Sequence, residues 1–376
     1  MKYRKFGETG VDISVLGFGA MRLPMMTVSD KNVIDEDKAI PMLRKAYDSG
    51  VNYFDTALFY CDGQSEVVVG KALKDIREDV YISTKYPNWG KGDRDDYRKT
   101  LEEQLRKLDV SYVDFYHFHG LNAQGYEDFL IGKGLLKEAI KAKEEGLIRH
   151  ISFSFHDKPD ALKKLADTGD FESVLCQYNF LDRSNEEAIA HAKSKGMGVV
   201  VMGPVAGGRI AGMSPDFAQK AGINVSSNAE LAMRFVFANP NVDCALSGMS
   251  SMAMVEENVV TASFADDPLS DKELQNLEKL MNEYKRLSEL YCTGCNYCMP
   301  CPQGINIPFI FSQMNNYRIY GLKELAKAEY AKIGSNEWIT GEKADKCVEC
   351  GICETKCPQK IEIIRQLKEC AETLGQ

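Results

Sequence analysis

The chain has 376 residues, 44% of them hydrophobic and 27% charged, with a formal net charge of −9. That balance is ordinary for a folded protein with ample core, and the acidic excess, with no basic block against it, argues against a nucleic-acid footprint. No apolar run approaches the roughly 18 residues of a membrane span, and no basic stretch followed by an apolar run opens the chain, so the expected location is the cytoplasm.

In chain order, residues 2 to 15 read as a hairpin, with Phe6-Gly7-Glu8-Thr9-Gly10-Val11 between two short alternating runs. Val15 to Gly19 is a short apolar strand. One unit then recurs: a helix-period pattern, a glycine or turn, and an apolar strand. Glu36 to Ser49 precedes Val51 to Phe54, Glu66 to Leu73 precedes Val80 to Thr84, and Arg94 to Leu108 precedes Tyr112 to Phe118. Leu135 to Glu145 leads into Leu147 to Ser154, and Pro159 to Ala166 into Val174 to Tyr178. Asn185 to Lys195 leads into Gly198 to Met202, Asn228 to Ala238 into Val242 to Leu246, and Met252 to Val260 closes the series. Helices alternating with strands that are apolar throughout predict a (β/α)8 TIM barrel with an N-terminal β-hairpin. A doubly wound open sheet would be expected to open with a Gly-x-Gly-x-x-Gly turn, which is missing. Asp266-Asp267-Pro268 ends the barrel, and a long amphipathic helix from Ser270 to Leu290 follows.

Three strand ends carry chemistry. Asp55 ends the strand Val51 to Phe54, with Tyr60 five residues on; Lys85 ends Val80 to Thr84; His117 and His119 end the strand that begins at Tyr112. A parallel barrel converges such ends on one rim. Asp55-Thr56-Ala57-x-x-Tyr60, then Lys85, then Asp114-x-Tyr116-x-x-His119 resembles the aldo-keto reductases. The resemblance covers about residues 1 to 265. It implies a catalytic tetrad of Asp55, Tyr60, Lys85 and His119, and a hairpin plugging the bottom of the barrel. Tyr60 would be the acid that protonates the alkoxide left by hydride addition. Lys85, held by Asp55, would lower the pKa of Tyr60, and His119 would orient the carbonyl. His117, two residues earlier on the same side of its strand, reads as a buried structural histidine.

The same resemblance places a nicotinamide dinucleotide, NAD(P)H. Ser154 is kept at the amide-binding position, but Phe155 stands where the family has Asn. Leu175 stands at the Gln position, with Gln177 two residues along on the same face. Tyr178 would stack on the nicotinamide ring. Gly203, Pro204, Gly207 and Gly208 match the loop across the pyrophosphate, and Gly248, Ser250, Glu257 and Asn258 the adenosine end. The basic residues that would pair with a 2′-phosphate are replaced by Gly248 and Met254, which leaves NADH and NADPH both open.

Eight of the twelve cysteines form two dense runs, Cys292-x-x-Cys295-x-x-Cys298-x-x-Cys301-Pro302 and Cys347-x-x-Cys350-x-x-Cys353-x-x-x-Cys357-Pro358. Such clustering is a metal pattern and not a disulfide framework. Zinc sites use two separated pairs; three cysteines at three-residue steps, then a fourth before proline, is the bacterial ferredoxin run, whose fourth cysteine ligates the other cluster. The expected centres are two [4Fe–4S] clusters, one on Cys292, Cys295, Cys298 and Cys357, the other on Cys347, Cys350, Cys353 and Cys301. The helical spacer from Ile305 to Lys346 resembles the mostly α-helical ferredoxin-like domains of respiratory and disulfide-reducing complexes. The expected domains are 1–268 for the barrel, 269–290 for a linker helix and 291–376 for the iron–sulfur domain, finishing in a polar helix. Cys61, Cys176, Cys244 and Cys370 read as isolated small side chains.

Together these predict an oxidoreductase that reduces a small carbonyl or related substrate, with the clusters passing electrons to or from a redox protein partner. A hydride carries two electrons and a cluster takes one, so direct coupling asks for a carrier such as a flavin, for which no motif is seen. The alternatives are an electron-transfer protein whose barrel is a scaffold, and a purely structural metal domain. Substrate contacts would come from the connections Leu23 to Asp35, Asn88 to Asp93 and His119 to Lys133.

Overall fold

The computed structural model describes residues 1–29, 31–87, 93–287, 292, 296, 298–318, 320–335, 339–357 and 360–375, with the backbone alone at 284–287. By packing, the chain divides into two compact units: Met1–Gly207 with Ala229–Ser270, and Gly208–Asn228 with Asp271–Gln376.

In the first unit, β1 (Tyr3–Lys5) and β2 (Asp12–Ser14) pair antiparallel as the expected hairpin. The barrel strands are β3 (Leu16–Gly19), β6 (Tyr53–Asp55), β7 (Tyr81–Pro87), β8 (Val113–Leu121), β9 (Ile148–Phe155), β10 (Ser173–Gln177), β11 (Gly198–Met202) and β12 (Cys244–Ser247). They close in the order β10-β11-β12-β3-β6-β7-β8-β9, and every neighbouring pair is parallel. The (β/α)8 barrel read from the sequence is the fold. Phe6, Val11 and Ile13 of the hairpin pack with Tyr53, Phe115, Leu175, Val200, Cys244 and Leu246. Tyr53 and Cys244 begin their strands, so the hairpin seals the N-terminal end and leaves the opposite rim for chemistry.

One element escaped the sequence reading. The stretch Leu23 to Asp35, expected as an open loop, contains an antiparallel hairpin of β4 (Met25–Val28) and β5 (Lys31–Ile34). Its strands are mostly exposed, so no core alternation announces them. The Asn88 to Asp93 connection lies outside the described residues up to Asp93, whose carboxylate accepts a 3.0 Å bond from Asp96 N and caps the helix Arg94–Leu108.

The second unit is helical, with helices Asp271–Leu287, Ile307–Arg318, Lys323–Ala331 and Ile363–Leu374. Its core gathers Ile307, Ile310, Phe311, Met314, Tyr330 and Ile363 among others. The final helix is amphipathic where a polar one was expected. Ile363, Leu367, Cys370 and Leu374 recur at helical spacing and are all buried, so Cys370 is a core residue. Tyr330 Oη accepts a 3.1 Å bond from Ala344 N, fastening the helix Lys323–Ala331 to the approach to the second cysteine run. Among the described residues no helix is long and apolar enough to cross a membrane.

Gly70 shows how tightly the barrel's outer helices pack. It lies in the helix Ser65–Leu73, and a Cβ there would stand 2.3 Å from the Leu108 carbonyl oxygen. Gly70→Ala would gain about 1 kcal/mol of helix propensity, but overpacking against backbone costs about 1–3 kcal/mol, and a backbone atom cannot swing aside. The expected result is a net loss of up to about 2 kcal/mol by urea denaturation; a stabilised variant would show that the two helices do not meet as described.

Candidate active site

Asp55 ends β6, Lys85 lies toward the end of β7 and His119 toward the end of β8, so three neighbouring strands carry these groups to the same rim. Parallel register sets their relative height: Asp55 pairs with Ser83, Lys85 with His117, and Pro87 with His119. Asp55 and Lys85 are each only 1% exposed, and Lys85 Nζ donates to Asp55 Oδ1 at 2.6 Å. The ammonium also donates to the Thr56 carbonyl at 2.7 Å, while Ser83 Oγ donates to Asp55 Oδ2 at 2.5 Å. The loop after β6 brings the Tyr60 ring back over this pair, its centre 4.7 Å from Lys85 Nζ. The His119 ring lies edge-on to Tyr60, centroids 6.4 Å apart. All four residues named from the strand ends therefore meet in one place.

The electrostatics follow from burial and one cation. Burial opposes the charge on Lys85, but Asp55 and then Tyr60 more than offset it and hold its pKa above the ordinary lysine value. Burial is also the first influence on Tyr60, and it outweighs the downward pull of Lys85, so the phenol lies above its usual value of about 10. The expectation that Lys85 lowers Tyr60 is correct in direction for that interaction and reversed in sum. His119 is pushed down to about 3 by burial, then Lys85, then His156, and is neutral near pH 7. His117 is fully buried, pushed down to about 3 by burial and then Lys85, and shares a 3.4 Å contact with the Tyr53 hydroxyl.

A second polar layer was not read from the sequence. Gln104 Nε2 donates to Glu66 Oε1 at 2.6 Å and to the Lys85 carbonyl at 3.1 Å, and Thr84 Oγ1 donates to Glu66 Oε1 at 2.7 Å. Tyr116 closes the network on Gln104 Oε1 at 2.6 Å. The signal was available: Glu66 and Gln104 stand at apolar-face positions of their helices, where an unpaired polar group is costly. His156, directly after β9, was not singled out in the sequence; its pKa is lowered by burial and then by Lys85.

The positions read as nicotinamide contacts are partly kept. Ser154 is buried and its hydroxyl accepts a 2.9 Å bond from Gly120 N. Gln177 ends β10 with its amide against Gly203, where a Cβ would stand 2.6 Å from Gln177 Oε1. Tyr178 is a correction: its ring is 1% exposed, stacks on Phe235 with centroids 5.4 Å apart, and its hydroxyl donates to Glu186 at 3.0 Å. One residue past the inward-facing Gln177, it turns away from the barrel axis into the surrounding helices and has no face left to stack on a cofactor. Gly203 and Gly207 adopt positive φ, +63° and +69°, with Pro204 buried between them. Gly208, φ +97°, has open space where a Cβ would be. Such a loop turns backbone N–H groups toward an anion without side chains in the way, which fits a dinucleotide's pyrophosphate. Gly248 and Ser250 are exposed after β12, Glu257 is exposed, and Asn258 is buried with its amide donating to Ser247 Oγ at 3.0 Å.

In the second unit, Cys292, Cys298, Cys301, Cys347 and Cys357 border the core that contains Cys353, and Cys350 is exposed. None of these forms a disulfide; Cys295 lies outside the described residues. Asn296, Glu349 and Gly351 take positive φ between the cysteines. Among the described residues no three Cys, His, Asp or Glu groups gather closely enough for one metal ion. A cubane cluster does not require that, because its thiolates attach to separate irons. The donor set fits iron–sulfur clusters.

The aldo/keto reductase family model matches residues 15–282. The chain belongs to the aldo/keto reductase family. A 4Fe-4S dicluster domain model matches residues 291–362. The chain is 29% identical over 315 residues to an L-galactose dehydrogenase of Arabidopsis thaliana, covering 77% of this chain and 97% of that protein. Among solved structures it is similar to aldo-keto reductase AKR11C1 from Bacillus halodurans in its holo form, at TM-score 0.63 and 29% identity over 74% of this chain and 96% of that one. It is also similar to an aldo/keto reductase from Klebsiella pneumoniae in complex with NADP and acetate, at TM-score 0.62 and 25% identity over 74% and 95%. This chain is an oxidoreductase of that family.

The depressed His117 has a consequence for acid stability. Its folded pKa of about 3 lies below the unfolded value of about 6.5, so the unfolded chain takes up the proton first as pH falls. Its stabilising effect is complete above about pH 6.5 and is lost toward pH 3, at about 1.4 kcal/mol per pH unit. Urea midpoints of wild type and His117→Gln between about pH 6 and pH 4 are expected to diverge by that slope. Parallel pH dependences would contradict a neutral buried imidazole.

Proposed function

We propose that this protein reduces a small carbonyl compound, with Tyr60 as the proton donor to the carbonyl oxygen. The observation that carries the reading is the Lys85 ammonium held 2.6 Å from Asp55 and 4.7 Å from the Tyr60 ring centre, with His119 edge-on to that ring. A nicotinamide, when bound, supplies the hydride to the carbonyl carbon. Tyr60 gives its proton to the oxygen as negative charge develops there, and Lys85 stabilises the tyrosinate left behind. Asp55 keeps Lys85 charged and in place. His119, neutral, hydrogen-bonds the carbonyl oxygen and orients it toward Tyr60. Because burial raises the phenol, it stays protonated through neutral pH and is available as an acid without prior uptake of a proton.

The loop Gly203 to Gly208 and the end of β12 would hold the dinucleotide, with Ser154 and Gln177 at the carboxamide. Cys292, Cys295, Cys298 and Cys357, and Cys347, Cys350, Cys353 and Cys301, would hold two [4Fe–4S] clusters, which when bound supply one-electron chemistry. We assign the working division to a barrel at 1–268, a linker helix at 269–290 and an iron–sulfur domain at 291–376, the last exchanging electrons with a redox protein partner. The dense cysteine runs, read as cluster ligands and not as disulfides, favour a cytoplasmic setting.

Tyr60→Phe is expected to lower kcat for NAD(P)H-dependent aldehyde reduction by about 10²- to 10⁴-fold while cofactor Kd stays within about twofold. Unchanged turnover would refute Tyr60 as the acid. Anaerobically purified protein is expected to carry about eight irons per chain, and Cys347→Ser to lower that toward four. An aldehyde reduction rate that survives the iron loss would make the clusters separate from carbonyl chemistry; zinc in place of iron would remove the cluster assignment.

A further inference from the structure

Arg22 ends the short helical turn Ala20–Arg22 that leaves β3. It is exposed, and among the described residues it meets no carboxylate and donates no hydrogen bond. Yet it lies along a defined path. Its stem runs beside Gly248, where a Cβ would stand 3.3 Å from Arg22 Cδ and 3.5 Å from Cγ. Its guanidinium reaches Gly207, where a Cβ would stand 3.2 Å from Nη2. Arg22 therefore spans from the loop after β12 to the loop after β11, across two positions without side chains. The register explains this reach: β3 is paired with β12, Gly17 against Leu246 and Phe18 against Ser247, so the turn after β3 lies beside residue 248.

We propose that Arg22 is the cation for the pyrophosphate of the bound dinucleotide; this rests on the nicotinamide reading above. Arg22 reaches that anion from the neighbouring strand, through the space that a side chain at 248 would have filled. An arginine without a carboxylate partner keeps its whole charge for a ligand, and its planar fork matches two phosphate oxygens. Gly207, at φ +69°, lets backbone amides approach the same anion beneath the guanidinium. Pyrophosphate is common to NADH and NADPH, so this cation does not choose between them.

The test is equilibrium binding of NADH, NADPH and ADP-ribose to the anaerobically purified full chain. Wild type is compared with Arg22→Ala, Arg22→Lys and Gly248→Val. Arg22→Ala is expected to weaken all three ligands by about 10- to 100-fold and to flatten their dependence on ionic strength, with Arg22→Lys in between. Gly248→Val keeps the arginine but displaces its stem, and is expected to weaken the same three ligands. Because Arg22 is exposed and unpaired, the alanine variant should keep the wild-type melting temperature. Binding unchanged in Arg22→Ala would overturn the proposal and leave the nicotinamide reading standing. A loss confined to NADPH would also overturn it, moving the charge to the 2′-phosphate. A wild type that binds none of the three would remove the nicotinamide reading and this one together.

Discussion

The Asp55–Lys85 ion pair is the constraint around which the barrel's working rim is arranged. Both groups are almost fully buried, and taking each charge out of water costs several kcal/mol even after relaxation. A pair in that position survives only with close contact and hydrogen bonds on its remaining atoms. Here Thr56 takes a second proton from the ammonium and Ser83 covers the second carboxylate oxygen. The ammonium's remaining donor is left for the Tyr60 side. Apolar replacements of buried ion pairs are often no less stable, so burial of this pair is weak evidence of a role in folding.

Burial, and then that single cation, keep the imidazoles beside it neutral. Lys85 depresses His117, His119 and His156 alike, in each case adding to the effect of burial. A second positive charge in the same low-dielectric space would have to be solvated by groups already engaged. The pocket therefore offers one cation, a protonated phenol and neutral ring nitrogens. This combination can donate a hydrogen bond and a proton to one oxygen without attracting an anionic substrate by bulk charge.

Much of this was legible before any coordinates. The strand ends carry Asp55, Lys85 and His119 because parallel strands share a direction, and spacing alone reports that. The cysteine runs are equally plain, since their density has few other uses. What escaped shares one cause: local patterns carry no record of which neighbour a face meets. Tyr178 looks like a rim aromatic, yet side chains alternate along an extended chain, and one residue past Gln177 the ring turns to Phe235. The hairpin β4–β5 has mostly exposed strands and so lacks a periodic signature. Charges in the last helix hid the stripe of Ile363, Leu367, Cys370 and Leu374, which declares itself only when read at helical spacing. Arg22 carries no motif at all; its meaning comes from β12 being the neighbour of β3.

Net charge and local charge then have to be reconciled. A chain of net charge −9 should repel a dinucleotide at long range, but beyond about 8 Å at physiological ionic strength that repulsion is largely screened. Within that distance, the proposed site would present backbone amides and the Arg22 guanidinium. Glycines at 207 and 248 matter here as absences of bulk: one lets the peptide approach, the other leaves a channel for a side chain from the next strand. A longer side chain at 248 would occupy the channel and displace Arg22 from it. An arginine arriving from β3 is anchored two strands from β11, and its long stem lies flat on Gly248. If Arg22 binds phosphate as proposed, packing along that stem would limit the rotamers it gives up on binding.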